Sequence, residues 1–255
     1  MITAWIGAIL IGLSLGLLGS GGSILTVPIL VYLVKHPEKQ SIAESLAIVG
    51  AIALFGAIRG AIKKQVVWRA VGWFGLPGIG GSLLGAYLAR FIPGELQIAM
   101  LGVIMLVAAA RMAGTSKARD AIGERSRVAP AWLLVLVGFG LGLVTGLVGI
   151  GGGFLIVPAL VLLAGVPMKL AVGTSLSLIV INCAVGFAKY QVTLASVGQR
   201  VDWNTITVFA FLGMLGSLAG GAIGSKLDPR VMRRVFAVFL VLMAVYILWH
   251  QIGKL

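Results

Sequence analysis

The sequence predicts an all-α polytopic membrane protein of two inverted-topology repeats, each a broken helical hairpin plus three transmembrane helices, about ten helical segments in all. Three observations carry this. The chain of 255 residues is 60% hydrophobic and only 11% charged, with mean hydropathy +1.11, more apolar surface than a soluble domain needs. One interrupted hydrophobic segment occurs twice: 12–31 reads GLSLGLLGSGGSILTVPILV, and 142–161 reads GLVTGLVGIGGGFLIVPALV, with 12 of 20 aligned positions identical. The basic residues, finally, collect between spans rather than along one face.

The first half opens with the broken stretch 2–34 and continues with spans 42–62, 70–90 and 95–112. Its 33 residues would make one helix about 50 Å long, against a hydrocarbon core of about 30 Å. A hairpin of two short helices, turning at Gly19–Ser23 and in the second copy at Gly149–Gly153, removes the mismatch. The hydrophilic run 114–129 follows and reads as a cytoplasmic linker between a first membrane repeat, 1–113, and a second, 130–255. The second half repeats the layout with the broken stretch 131–164 and spans 170–189, 204–225 and 230–250. Matches at an offset of 130 include Pro37/Pro167, Ser45/Ser175 and Gly56/Gly186. At 135 they include Trp68/Trp203, Gly81/Gly216 and Gly85/Gly220. The N-terminal stretch lacks a positive leader and cleavage site, so it is read as mature structure.

A hairpin starts and ends on one side, so each half crosses an odd number of times and the second half is upside down. With the N-terminus outside, inner loops hold 14 of the 20 Lys and Arg. Lys35, Lys39, Arg90, Lys189, Arg200 and Lys254 remain outside. Eight plain spans with the N-terminus inside give 12 against 8, so the positive-inside rule favours inversion. The net charge of +13 is thereby a membrane signature and implies no nucleic acid partner.

The glycine breaks are the candidate site. A helix start exposes unpaired N–H groups and a partial positive charge, which together attract anions. Two such starts approaching from opposite sides near mid-membrane suit a small oxyanion. The expected substrate contacts are Gly19, Ser20, Gly21, Gly22 and Ser23, with Gly149, Ile150, Gly151, Gly152 and Gly153 opposite. Ser45, Thr174, Ser175 and Asn182 would complete the pocket from the following spans. Ser23 or Thr26 would cap the first return helix, and Pro28 and Pro158 fit early helical turns. Packing alone accounts for Gly81xxxGly85 and Gly216xxxGly220, but less well for runs such as Gly151-Gly152-Gly153, which break helices. For Asn182, an interhelical hydrogen bond weighs as much as a ligand contact. Arg59 and Lys189 at equivalent span ends read as snorkelling anchors before they read as anion lures.

No residue pattern supports catalysis, metal or cofactor. Cys183 stands alone, His36 and His250 lie near span ends, and HExxH and CxxC are absent. All seven acids (Glu38, Glu44, Glu95, Asp120, Glu124, Asp202, Asp228) fall in loops or within a turn of a span end. No mid-span acid is thus expected to carry protons or sodium. Anion export needs neither, because leaving an inside-negative cell releases about 2.3 kcal/mol per charge per 100 mV.

On the duplicated motif the chain resembles the TauE/SafE sulfite exporter family of bacterial membrane transporters. Gly146 through Pro158 fits G-x-x-G-x-G-G-G-x-x-x-x-P in full, and the first copy has Ser23 for the third glycine of the run. The resemblance spans essentially the whole chain. It implies a multi-pass transporter of the bacterial inner membrane carrying small sulfur-containing anions, such as sulfite, sulfoacetate or other sulfonates. Export by alternating access about the two breaks is expected. The alternatives are an anion channel or a carrier of another small organic anion. With Cys183 alone, the chain departs from the related thiosulfate importers, whose mechanism uses conserved cysteines. The expected partners are the anion and the bilayer, and glycine-rich faces leave room for a homodimer.

Overall fold

The computed structural model of the chain describes residues 2–18, 21–114, 130–149, 156–157, 159–160, 164–196, 198–224, 238 and 241–250. Within these residues the protein is wholly helical. Helix α1 (Ile2–Leu18) enters, and the chain returns along it as α2, the helical run 21–34. That run is a 3-10 turn Gly21–Leu25, an α-helical turn Thr26–Pro28 and a π-helical turn Ile29–Val34. A side chain at Gly7 would meet Ile29, so α2 folds back on α1 as a hairpin. Helices α3 (Glu38–Ile62), α4 (Trp68–Ala89) and α5 (Gly94–Gly114) complete the first half. The second half holds α6 (Ala131–Val148), α7 (Met168–Ser196), α8 (Trp203–Gly224) and α9 (Val241–His250).

Three of these, Glu38–Ile62, Leu170–Ser196 and Trp203–Ala222, contain spans long and apolar enough to cross a membrane. The outer surface is apolar where a soluble protein would be polar: Leu76 is 73% exposed and Phe211 61%. Such faces are stable only against lipid.

Helices α3 and α7 form the central pair. Side chains at Gly50, Gly56 and Gly60 would meet Cys183, Leu176 and Gly173 respectively, so the two helices run antiparallel. Each hairpin's entering helix packs on the other half. Gly12 and Gly16 of α1 lie against the backbones of Gly213 and Ser217 in α8. In the same way Gly138, Gly142 and Gly146 of α6 lie against Phe74, Gly78 and Ser82 in α4. The four-residue steps advance together in both pairs, so α1 runs parallel to α8 and α6 to α4. Small residues at this spacing let the backbones touch, which supplies the packing that lipid does not.

Matched backbone features follow the repeat. Lys35 and Gly165, 130 apart, both adopt left-handed φ, 65° and 63°. His36 N donates to the Leu30 carbonyl at 3.1 Å, and Val166 N to the Leu160 carbonyl at 3.0 Å. Span ends differ from expectation most at α3, which starts at Glu38 rather than 42, and at α7. Helix α7 continues to Ser196 rather than stopping at 189, carrying Lys189 inside a helix.

Candidate functional site

The second break begins where α6 ends. Gly149 caps that helix at φ 75°, a conformation that strains any residue with a Cβ. Its N–H donates to the Thr145 carbonyl at 2.9 Å. Its own carbonyl accepts the Ser45 hydroxyl at 2.6 Å. Ile42 presses on the same glycine. Ser45 is about 10 Å from the start of α3, a 25-residue helix of about 38 Å. The second break is therefore nearer one end of the bundle than the expected mid-depth. The cause is the length of α6: its 18 residues cover about 27 Å before Gly149 ends it.

In the first copy, Gly21, Gly22 and Ser23 belong to a 3-10 turn rather than an open loop. Leu25 stands at the N-cap of the α-helical turn without a side-chain cap, and Thr26 lies inside the helical run, buried. Pro28 sits in the short α-helical turn, as its missing N–H favours. Gly19, Ser20, Ile150, Gly151, Gly152, Gly153 and Pro158 lie outside the described residues.

Three of the hydroxyls expected to reach the cargo already donate to backbone carbonyls. Ser45 gives its proton to Gly149. Thr174 donates to the Leu170 carbonyl at 2.7 Å and accepts from Val67 N at 2.9 Å, which pins the α3–α4 turn to α7. Ser175 donates to the Val172 carbonyl at 2.8 Å. These three brace the fold and offer an anion no donor.

Asn182 behaves differently. It is buried, and its side-chain oxygen has no partner among the described residues. The amide lies over Gly78 of α4, where a Cβ would come within 2.8 Å of the oxygen and 3.4 Å of the nitrogen. The expected interhelical hydrogen bond is made by its backbone instead, whose carbonyl accepts the Ser82 hydroxyl at 2.9 Å. Asn182 neighbours Cys183, which faces Gly50 halfway along α3. A buried amide oxygen left without a donor costs on the order of 1–3 kcal/mol, so this oxygen calls for a donor such as a water. Thr26 Oγ1 is a second buried oxygen without a partner among the described residues.

Glu44 corrects the expectation that every acid sits in a loop or near a span end. Helix α3 starts at Glu38, so Glu44 lies well inside it, fully buried. One carboxylate oxygen pairs with His36 Nδ1 at 2.7 Å. The other accepts Gln40 Nε2 and Asp202 N, both at 2.8 Å. The network ties the start of α3 to the start of α8. Its sequence signal was the spacing 36, 40 and 44, one face of a helix.

The arrangement defines a class: an all-α, multi-pass membrane protein with several apolar helices. Residues 4–247 match the family Sulfite exporter TauE/SafE, and the chain belongs to that family. It is thus a multi-pass inner-membrane transporter, not an enzyme. A probable membrane transporter protein of Xylella fastidiosa strain 9a5c is 32% identical over 255 residues, covering 96% of this chain and 94% of its own. Another, from Methanocaldococcus jannaschii, is 28% identical over 256 residues, with 94% of each chain covered. A third, YunE of Bacillus subtilis strain 168, is 24% identical over 258 residues. No solved structure matches the chain.

Proposed function

We propose that this protein is a secondary transporter that exports small sulfur-containing anions, sulfite, sulfoacetate or other sulfonates, by alternating access. Its halves, 1–113 and 130–255, act as two inverted repeats joined by the cytoplasmic linker 114–129. The antiparallel course of α3 and α7 supports the inversion, because these helices occupy equivalent places in the repeat. The exchange of entering helices, α1 onto α8 and α6 onto α4, supports rocking of one packed body against the other.

The cargo is held between the two breaks rather than at either one. The observation that carries this reading is the buried Asn182 amide facing Gly78, halfway along the central pair. Its N–H groups donate to the anion's oxygens, and backbone N–H groups at 19–23 and 149–153 add donors from either side. An uncharged site suits an exporter, since a fixed cation would hold the anion too tightly to release it.

Flux from proteoliposomes tests the proposal. Sulfite or sulfoacetate efflux should saturate and show counterflow, and Asn182→Ala should weaken substrate affinity about tenfold, the value of one good hydrogen bond to a charged group. Linear, non-saturating flux would instead mark a channel. Unchanged affinity in the variant would assign Asn182 to packing.

A further inference from the structure

A cavity of about 430 Å³ opens at the end of the bundle that the charge count places outside. Its walls include Lys39 from α3, Arg90 just past α4, and Lys189, Tyr190, Thr193 and Ser196 from the part of α7 beyond the expected span. Three cations from three separate elements therefore converge on one hollow. Among the described residues the one ion pair is His36–Glu44, so none of the three has a carboxylate partner. The neighbouring acid Glu38 packs over Gly94 and makes no ion pair with them.

The cations are held in place by groups that leave their charge uncancelled. Lys39 Nζ donates to the Arg90 carbonyl at 3.3 Å. The Arg90 guanidinium stacks 4.8 Å from the Tyr87 ring centre and 4.5 Å from that of Phe91. Lys189 Nζ lies 5.5 Å from the same Tyr87 ring. Aromatic faces steady a cation and leave its N–H donors free on the other side. The Thr193 and Ser196 hydroxyls donate back to the helix, to the Lys189 and Thr193 carbonyls, so the donors facing the hollow are the cations themselves. Gathering three like charges is unfavourable in the absence of an anion.

The wall behind them is rigid and leads inward. Tyr190 donates its hydroxyl to the Leu147 carbonyl at 3.1 Å and accepts Gln97 Nε2 at 3.3 Å. Leu147 stands two residues before Gly149, so the cavity's back wall is bonded to the second helix break.

We infer that this cavity is a second oxyanion site, which takes a phosphate- or sulfonate-type group between Lys39, Arg90 and Lys189. The volume exceeds what one small oxyanion fills, so the site also admits the organic part of a sulfonate or of a lipid headgroup. The inference does not depend on where the central cargo site lies.

The test uses the full-length protein in phosphatidylcholine nanodiscs, titrated calorimetrically with sulfite and with inorganic phosphate. The triple variant Lys39→Gln, Arg90→Gln, Lys189→Gln should bind one or both at least tenfold more weakly than the wild type. In parallel, nanodiscs containing phosphatidylglycerol are examined by native mass spectrometry. Loss of retained phosphatidylglycerol in the variant, with unchanged titrations, assigns the site to a lipid phosphate. Weakened titrations assign it to the free anion. If neither titration nor lipid retention changes, the site does not exist. Should the triple variant misfold, single Arg90→Gln and Lys189→Gln variants are read the same way, with Lys189→Arg expected to keep binding. A null result for Asn182→Ala would remove the central site and leave these outcomes intact.

Discussion

Lys35 and Gly165 hold the same left-handed turn after equivalent helices, one with a side chain and one without. The repeat thus contains its own comparison. A left-handed conformation costs an L-residue roughly 1–2 kcal/mol, and glycine gives back roughly 0.5–1 in lost chain entropy. Lys35→Gly should therefore stabilise the protein by about 0.5 kcal/mol, seen as a small rise in the melting temperature. Ser45→Ala should do the opposite. It strands the Gly149 carbonyl in a buried place, at a cost of about 1–3 kcal/mol in denaturant unfolding. The role of Ser45 as a brace was not legible in the sequence, because its partner lies 104 positions away. Thr174 was misread for the same reason, its acceptor role being toward Val67 across 107 positions. Asn182 stood out in the sequence as a lone amide in an apolar run, although the sequence weighed an interhelical hydrogen bond equally with a ligand contact. The Lys39–Arg90–Lys189 cavity was not, since three helices assemble it and no short stretch of sequence contains it.

Helix identity and order came through the sequence well, because apolar runs of this length have one solution in lipid. Helix ends did not. The sequence reading ended that span at 189, yet α7 continues through Ser196 and builds the cavity wall. Pairing partners were illegible too, although the glycine spacing announced close packing. In α6, a Cβ at Gly142 would fall on the Gly78 carbonyl, while one at Gly140 meets nothing within 4 Å. Gly142→Ala should thus cost roughly 1–3 kcal/mol or more through forced separation of α4 and α6. Gly140→Ala should be neutral or slightly stabilising, as alanine is the better helix former. Gly12→Ala, the repeat equivalent facing Gly213, should match Gly142→Ala in thermal melts. Helix α8 carries a different kind of dependence. Asp202 caps it, accepting Asn204 N at 2.9 Å and the Thr205 hydroxyl at 2.7 Å. The Thr205 hydroxyl first, then the backbone N–H groups and nearby His36, hold its carboxyl below the ordinary 3.8 against the opposing effect of burial. A lowered folded value means the unfolded state takes up protons first as pH falls. The cap's contribution is complete above about pH 4 and is lost as pH drops through the lowered value. Asp202→Asn should keep the cap and flatten that acid limb of the stability curve.

At the scale of the whole molecule the two halves differ at positions that the sequence repeat makes equivalent. Ser45 braces the second break, whereas its equivalent Ser175 bonds back into its own helix. Asn182 has Ile52 as its counterpart, so the middle of the bundle is polar on one side only. One end gathers the Glu44 network and the basic cavity, and the other the pinned α3–α4 turn. An inverted pair without these differences would present the same face to both compartments, and they give inside and outside distinct chemistries. Which end is which rests on the charge count, 14 of 20 basic residues on one side. Helices α3, α4 and α7 convert that count into addresses: Lys63 and Arg200 are both exposed, at opposite ends of the bundle. Cys183 is fully buried and packed against Gly50, so an impermeant maleimide has no native target among the described residues. Single replacements Lys63→Cys and Arg200→Cys then report sidedness alone. Intact cells should label Arg200→Cys at once and Lys63→Cys only after permeabilisation. The reverse pattern would invert the orientation while sparing the fold, and equal labelling of both would mean that α3 and α7 do not separate two compartments.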